Sequence, residues 1–255
     1  MKNLLKFTLF FILIGCCGQI EQQEIGLKGD VKMLTEYNSS VKYDSLNNQI
    51  RDTLSVVRKY YNELNQIVKL NQNYIFSGQT MDITYIYNSY KRLKKEQVKM
   101  SFESDTLDVD YIYKGSSLIK TISESVRDST IFKQIGVYHY NADKKMIKNS
   151  LSQLSIDLKT GDTIKSSLQT DYYNAKGKIT ESKMEYRENP AQNVRSNYFY
   201  EADDLIKTLE YNKKDSLIST YRFEYKKDKL GNYIEKKAFI NDKLNMIKTF
   251  NIIYR

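Results

Sequence analysis

The chain contains one histidine, His139, in Tyr138-His139-Tyr140, and imidazole is the side chain best suited to general-base work near neutral pH. No Gly-x-Ser-x-Gly elbow presents a serine to it and no second histidine could join it on a metal, so it is read as a structural residue. An acidic cluster, Glu103, Asp105, Asp108 and Asp110, places Asp108 and Asp110 on one face of a strand. Paired carboxylates cleave glycosides or hold calcium. The glycine spacing of a calcium loop is missing, and a polar strand end accounts for the cluster. Ser117-Leu118-Ile119-Lys120 has the Ser-x-x-Lys spacing of acyl-enzymes, but it falls at a turn entering a strand and lacks the companion Ser-Asp-Asn and Lys-Thr-Gly motifs. The only cysteines, Cys16 and Cys17, are adjacent, which leaves no stock for a zinc site or a disulfide framework. No metal and no cofactor is expected, and the chain is read as not an enzyme.

Tyrosine is the remaining chemistry-bearing residue: 22 copies, with no tryptophan. Tyr85, Tyr87, Tyr111, Tyr113, Tyr138, Tyr140, Tyr198 and Tyr200 recur at equivalent positions and predict an aromatic stripe edged with hydroxyls. Exposed, such a stripe binds glycan rings or a partner protein. Turned to its own sheet, it stabilises cross-strand pairs by roughly 0.2–1 kcal/mol each.

These tyrosines belong to a repeat. A tyrosine pair or Tyr-x-Tyr is followed by a polar turn of four to six residues, then an aliphatic residue and usually a lysine, as in YYNELNQIVK from Tyr60, YIYKGSSLIK from Tyr111 and YHYNADKKMIK from Tyr138. The tyrosines just before the turns stand at 61, 87, 113, 140, 173, 200, 211 and 225, so the first intervals are 26, 26 and 27 residues. In Tyr85-Ile86-Tyr87 a period of two puts the tyrosines on one face and the isoleucine on the other; His139 holds the position of Ile86, Ile112 and Phe199. Asn, Asp, Gly and Lys supply the turns, and each 26-residue period is expected to hold two hairpins. A further hairpin is legible around Lys159-Thr160-Gly161-Asp162.

The predicted fold is all-β: an antiparallel meander of repeated hairpins forming one long sheet that is twisted, curved or partly closed. Its terminal strands, around Val31 to Tyr37 and Thr249 to Tyr254, are expected to be edges that are covered, twisted away or used for binding. From Leu46 to Val68 the apolar residues step by three and four, as in an amphipathic helix, yet YYNELNQIVK is in register with the later repeats and favours strands.

YNAKGKITE from Tyr173 and EYKKDKLGNYIE from Glu224 resemble the YD-type, tyrosine-rich hairpin repeats of Rhs-like proteins and the shorter repeats of similar secreted bacterial lipoproteins. Asn or Lys replaces Asp after the tyrosine in several copies, and only Gly177 and Gly231 match the turn glycine. The resemblance implies an extended binding or scaffold surface and carries over no catalytic residue.

The N-terminus gives an address. MKNLLK and the apolar run from Phe7 to Gly15 read as a signal peptide too short to span a bilayer. Leu13-Ile14-Gly15-Cys16 resembles the bacterial lipobox, which implies cleavage before Cys16 and acylation of its thiol. The expected organisation is a lipoprotein signal peptide over 1–15, a lipidated N-terminus and tether over 16–25, and a β-hairpin repeat domain over 26–255. Cys17, in place of an inner-membrane retention aspartate, implies the outer membrane, with its periplasmic and outer sides both open. The chain carries a formal charge of +9, but its basic residues are mostly dispersed lysines, so nucleic acid is not an expected partner. The function expected is a membrane-anchored, non-catalytic module that binds an envelope protein or acts as a scaffold. A glycan or cell-wall binder using the tyrosine face is the alternative, and an envelope hydrolase ranks below both.

Overall fold

The computed structural model describes residues 27–255; the signal peptide, Cys16 and the tether lie outside the described residues. Sixteen strands follow one another: β1 Val31–Tyr43, β2 Gln49–Tyr61, β3 Ile67–Tyr74, β4 Gln79–Tyr87, β5 Leu93–Met100, β6 Thr106–Lys114, β7 Ser117–Arg127 and β8 Thr130–Tyr140, then β9 Met146–Asp157, β10 Thr163–Tyr173, β11 Ile179–Tyr186, β12 Val194–Glu201, β13 Asp204–Asn212, β14 Leu217–Lys227, β15 Tyr233–Ile240 and β16 Lys243–Tyr254. Each strand pairs with its sequence neighbours, and β1 pairs antiparallel with β16, so the meander closes into a β-barrel. Closure covers the two terminal strands by pairing each with the other. Leu34 lies opposite Ile252 and Tyr37 opposite Thr249, so each terminal strand satisfies the other's backbone.

One turn, built seven times among the described residues, explains the repeat. It opens with Asn or Asp (Asp44, Asn62, Asn88, Asn141, Asn174, Asn212, Asp228), whose side-chain oxygen accepts from the backbone N–H four residues on at 2.8–3.1 Å. The fourth residue, from Asn47 to Gly231, sits at φ between 55° and 85° and donates its N–H to the carbonyl of the first. Glycine reaches that left-handed region freely and Asn or Asp tolerates it, which is why NELN, NAKG and DKLG are interchangeable here. Lys91 and Lys144 occupy it at φ 60°. The register shifts beside the turn, between Ile86 and Tyr87 and between His139 and Tyr140, which is how an unpaired turn residue bends a hairpin.

The 26-residue period corresponds to two strands and their two turns, as from Tyr61 at the end of β2 to Tyr87 at the end of β4, so the two hairpins of each period share strands with their neighbours in the meander. Residues 46–68 contain β2 and the start of β3. Of the residues in the three–four spacing, Leu46, Ile50, Leu54 and Leu64 are exposed and Val57 is buried.

The described chain divides into two compact units. The first, here the apolar unit, comprises Leu27–Tyr111, Phe199–Glu210 and Leu217–Arg255. Its strands alternate cleanly, with Met81, Ile83 and Tyr85 of β4 buried while Thr80, Thr84 and Ile86 are exposed. Leu70, Ile83, Val98 and Leu107 lie opposite one another across β3–β6 and form an aliphatic row on the buried face. The other face carries Asn71, Asp82 and Lys99 in one row and Lys69, Thr84, Gln97 and Asp108 in the next. A lipid-facing barrel needs an apolar band there. Near the seam, buried Glu36 of β1 accepts Lys59 Nζ of β2 at 2.5 Å and lies 3.4 Å from Lys248 Nζ of β16, ion pairs that join the three strands at closure.

The second, polar, unit comprises 112–198 and Tyr211–Ser216 of the described chain. Its strands β7–β11 bury Thr121, Ser123, Gln134, Thr170 and Asp171, with Ile179 as the buried aliphatic residue. A Cβ on Gly136 would collide with Thr121 Oγ1 and stand 3.2 Å from the Tyr138 hydroxyl, so the absence of a side chain lets Tyr138 lean back over the strand.

Candidate functional site

Each candidate tyrosine ends an even-numbered strand, where a turn fixes the backbone and the ring folds back against the sheet. Tyr87 donates its hydroxyl to the Ile67 carbonyl at 2.7 Å, and Tyr140 to Leu118 at 2.8 Å. Tyr225, outside the predicted set, does the same to Leu205 at 2.8 Å. In each case the ring reaches the opening turn of the preceding strand, so a hydroxyl that looked available for a ligand ties a hairpin shut. Tyr111 donates instead to Glu96 Oε1 at 2.7 Å, and Tyr138 lies 3.5 Å from Thr121 Oγ1.

Tyr85 is 8% exposed, and Tyr87, Tyr111, Tyr113, Tyr138, Tyr140, Tyr198 and Tyr200 are half-buried. The exposed face carries Ile86, Ile112, Phe199 and His139. β5 separates β4 from β6 and β7 separates β6 from β8, which spaces these tyrosine-bearing backbones by roughly 9–10 Å, and three strands separate β8 from β12. A tyrosine ring gains by burying its body while the hydroxyl finds a carbonyl; isoleucine on the opposite face gains from β geometry alone.

The other candidate residues are placed apart. Asp108 and Asp110 share one ammonium: Lys95 Nζ is 2.6 Å from Asp108 Oδ2 and 3.6 Å from Asp110 Oδ1, and Gln97 donates to Asp108 at 3.2 Å. The Lys95 hydrogen bond holds the Asp108 carboxyl below its usual range, the opposite of what a catalytic acid needs. Glu103 and Asp105 lie in the preceding turn, and no three His, Cys, Asp or Glu side chains among the described residues are grouped to hold a metal. Ser117 and Lys120 are three positions apart on β7, which sends them to opposite faces.

The buried ionisable groups were not singled out in the sequence. Glu96, 8% exposed, lies opposite Tyr85 on one side and Val109 on the other; burial pushes its carboxyl up to about 7, against the lowering effect of the Tyr111 hydroxyl. Asp171 lies opposite Asn149 and Ser182, and burial raises it while Ser182, Gln169 and Asn149 hold it down. A signal existed. Glu96 shares the period-two phase of Val98 and Met100, and Lys59 that of Val57, so each charged residue was in step with a core position.

The apolar unit also carries an exposed apolar surface. The β1–β2 ladder runs on to Tyr43 opposite Gln49, whereas β2–β3 pairing starts at Ser55 and β1–β16 pairing stops at Ser40, so residues 42–54 extend as a hairpin arm, with Val41 buried at its base. Leu46 at its tip is 81% exposed, with Ile50 and Leu54 exposed behind it. The Leu54 carbonyl accepts the Ile75 N–H at 2.9 Å, which joins the arm to the β3–β4 turn, where Phe76 is 72% exposed. Thr80 and Ser101 exchange backbone and hydroxyl hydrogen bonds at 2.9 Å, bringing up the β5–β6 turn with exposed Phe102. Leu46, Ile50, Leu54, Ile75, Phe76 and Phe102 thus sit on one arm and two laterally linked turns. A cluster of this kind marks an interaction surface.

No family model and no curated protein matches the sequence. Among solved structures, a porin-like protein from Bacteroides vulgatus superposes with a TM-score of 0.54 at 10% identity, covering 89% of this chain and 99% of that one. A porin-like protein from Bacteroides uniformis gives a TM-score of 0.37 at 12% identity over 88% of this chain and 96% of that one. The likeness to the first is one of fold, a β-barrel.

Proposed function

We propose that the protein is an envelope lipoprotein, anchored at the outer membrane through acylated Cys16, whose non-catalytic barrel docks another envelope protein on the apolar arm-and-turn surface. The observation that carries the reading is the convergence of Leu46, Ile50, Leu54, Ile75, Phe76 and Phe102 at one end of the apolar unit. Partner proteins bury such residues at the centre of an interface and surround them with polar atoms. Here the surround is Ser45, Asn47, Asn48, Gln49, Ser77 and Ser101. Docking through a strand edge, one route considered from the sequence, loses its basis because the terminal strands pair with each other. The glycan reading called for an open tyrosine face, and half-buried rings with engaged hydroxyls leave it the weaker of the two.

The test is photo-crosslinking in intact cells from a probe residue placed at Phe76, with a second probe at Lys229 as control. A discrete adduct from position 76, missing from position 229 and lost with Leu46→Ser and Phe102→Ser, is the expected result. The same adducts from both positions, or none from position 76, would overturn the reading.

A further inference from the structure

We infer that the hairpin turns of the polar unit dock on the anionic phosphate headgroups of a membrane. The inference rests on the lipoprotein reading only for the presence of that membrane. The β6–β7, β8–β9 and β10–β11 turns carry Lys114, Lys144, Lys145, Lys176 and Lys178, against one acidic residue, Asp143. Lys114, Lys144, Lys145 and Lys176 are exposed and join no ion pair among the described residues.

The turn geometry holds their backbones still. Asn141 accepts the Lys145 N–H at 2.9 Å, and Asn174 accepts those of Lys176 and Lys178 at 2.9 and 3.1 Å. Hairpins spaced two strands apart set the lysine groups roughly 10 Å from one another along the sheet edge. The turns at the other edge of the same unit are balanced: Arg127 with Asp128, Lys159 with Asp157 and Asp162, Arg187 with Glu188, and Lys213 and Lys214 with Asp215, which is itself paired to Arg195 at 2.9 Å. The unit therefore has one cationic edge.

A compact point charge on a flexible stem suits a fluid, irregular array of phosphates, whereas recognition of a fixed phosphate uses the fork of arginine, which these turns lack. The tether supplies the second argument for a membrane. Fifteen positions separate Cys16 from Val31, at most ~50 Å of extended chain. An acyl anchor and a basic patch together give the two signals that stable membrane attachment requires.

The experiment uses the full chain with Cys16→Ser, so that acylation plays no part, and measures co-sedimentation with vesicles of phosphatidylcholine alone or with phosphatidylglycerol added. Binding to the anionic vesicles is expected to exceed binding to the neutral ones at least tenfold and to fall as salt rises. Replacing Lys114, Lys144, Lys145 and Lys176 by Gln is expected to abolish that preference, while Lys159→Gln with Lys213→Gln and Lys214→Gln retains it. Equal binding to both vesicle types, or equal losses from the two sets of substitutions, would overturn the inference. Neither result bears on acylation, which is read separately from membrane retention of the unsubstituted Cys16 chain.

Discussion

The two units bury opposite chemistries on the same backbone. Across β3–β6 the facing row is Leu70, Ile83, Val98 and Leu107; across β7–β10 it is Ser123, Gln134, Gln153 and Ser167. Both units use the same asparagine turn and the same tyrosine-to-carbonyl bond, Tyr87 in one and Tyr140 in the other. The recurrent features are therefore those that set strand direction and register, and the buried row is free to vary. An aliphatic row gains by leaving water. A polar row gains little and needs partners: the Nε2 of Gln134 is buried without a hydrogen bond.

The comparison breaks most visibly under truncation. Ile83→Ala is expected to cost roughly 2–5 kcal/mol, and Ser123→Ala, equally buried, within about 1 kcal/mol. Urea unfolding midpoints of the two variants check this, and equal losses would mean that the rows contribute alike.

Glu96 sharpens the contrast because it is a carboxyl among aliphatic neighbours. Its folded value of about 7 lies above the unfolded value near 4.5, so its stabilising contribution is fully present below pH 4.5 and is lost as pH rises through 7. The loss is on the order of 3 kcal/mol. Glu96→Gln, which keeps an acceptor for Tyr111, is expected to remove this part of the decline between pH 4.5 and 8. An unchanged slope in the variant would assign the pH dependence to other groups.

The smallest effect tests what the units share. Lys91→Gly in the apolar unit and Lys144→Gly in the polar one relieve the same left-handed strain, at φ 60° in both. Each is expected to stabilise by about 0.5–1 kcal/mol, net of the entropy glycine adds to the unfolded chain. A gain confined to one unit would show that the turns are not equivalent.

Strand identity and turn chemistry were legible because both are local. Tyr-x-Tyr followed by Asn and a small or flexible fourth residue fixes period-two phase and a bulged hairpin within ten residues. Period two assigns Tyr85 and Ile86 to opposite faces, but it cannot say which is inside, and the exposed apolar positions Leu46, Ile50 and Leu54 mimicked a helix for the same reason. Closure depended on Leu34 meeting Ile252, partners more than 200 positions apart whose pairing has no local signature.

What the sequence by itself determined was an antiparallel all-β meander with asparagine-headed turns and tyrosines on a single face, since those follow from nearest-neighbour sterics and side-chain alternation. Only the tertiary structure decided that the sheet closes, that the tyrosines face its buried side, that Glu36, Glu96 and Asp171 are buried, and that apolar tips and lysine turns gather where they do. Each of these depends on which strands meet across the closed sheet and on how much water is excluded between them. Neither quantity is a property of a residue and its neighbours in the chain.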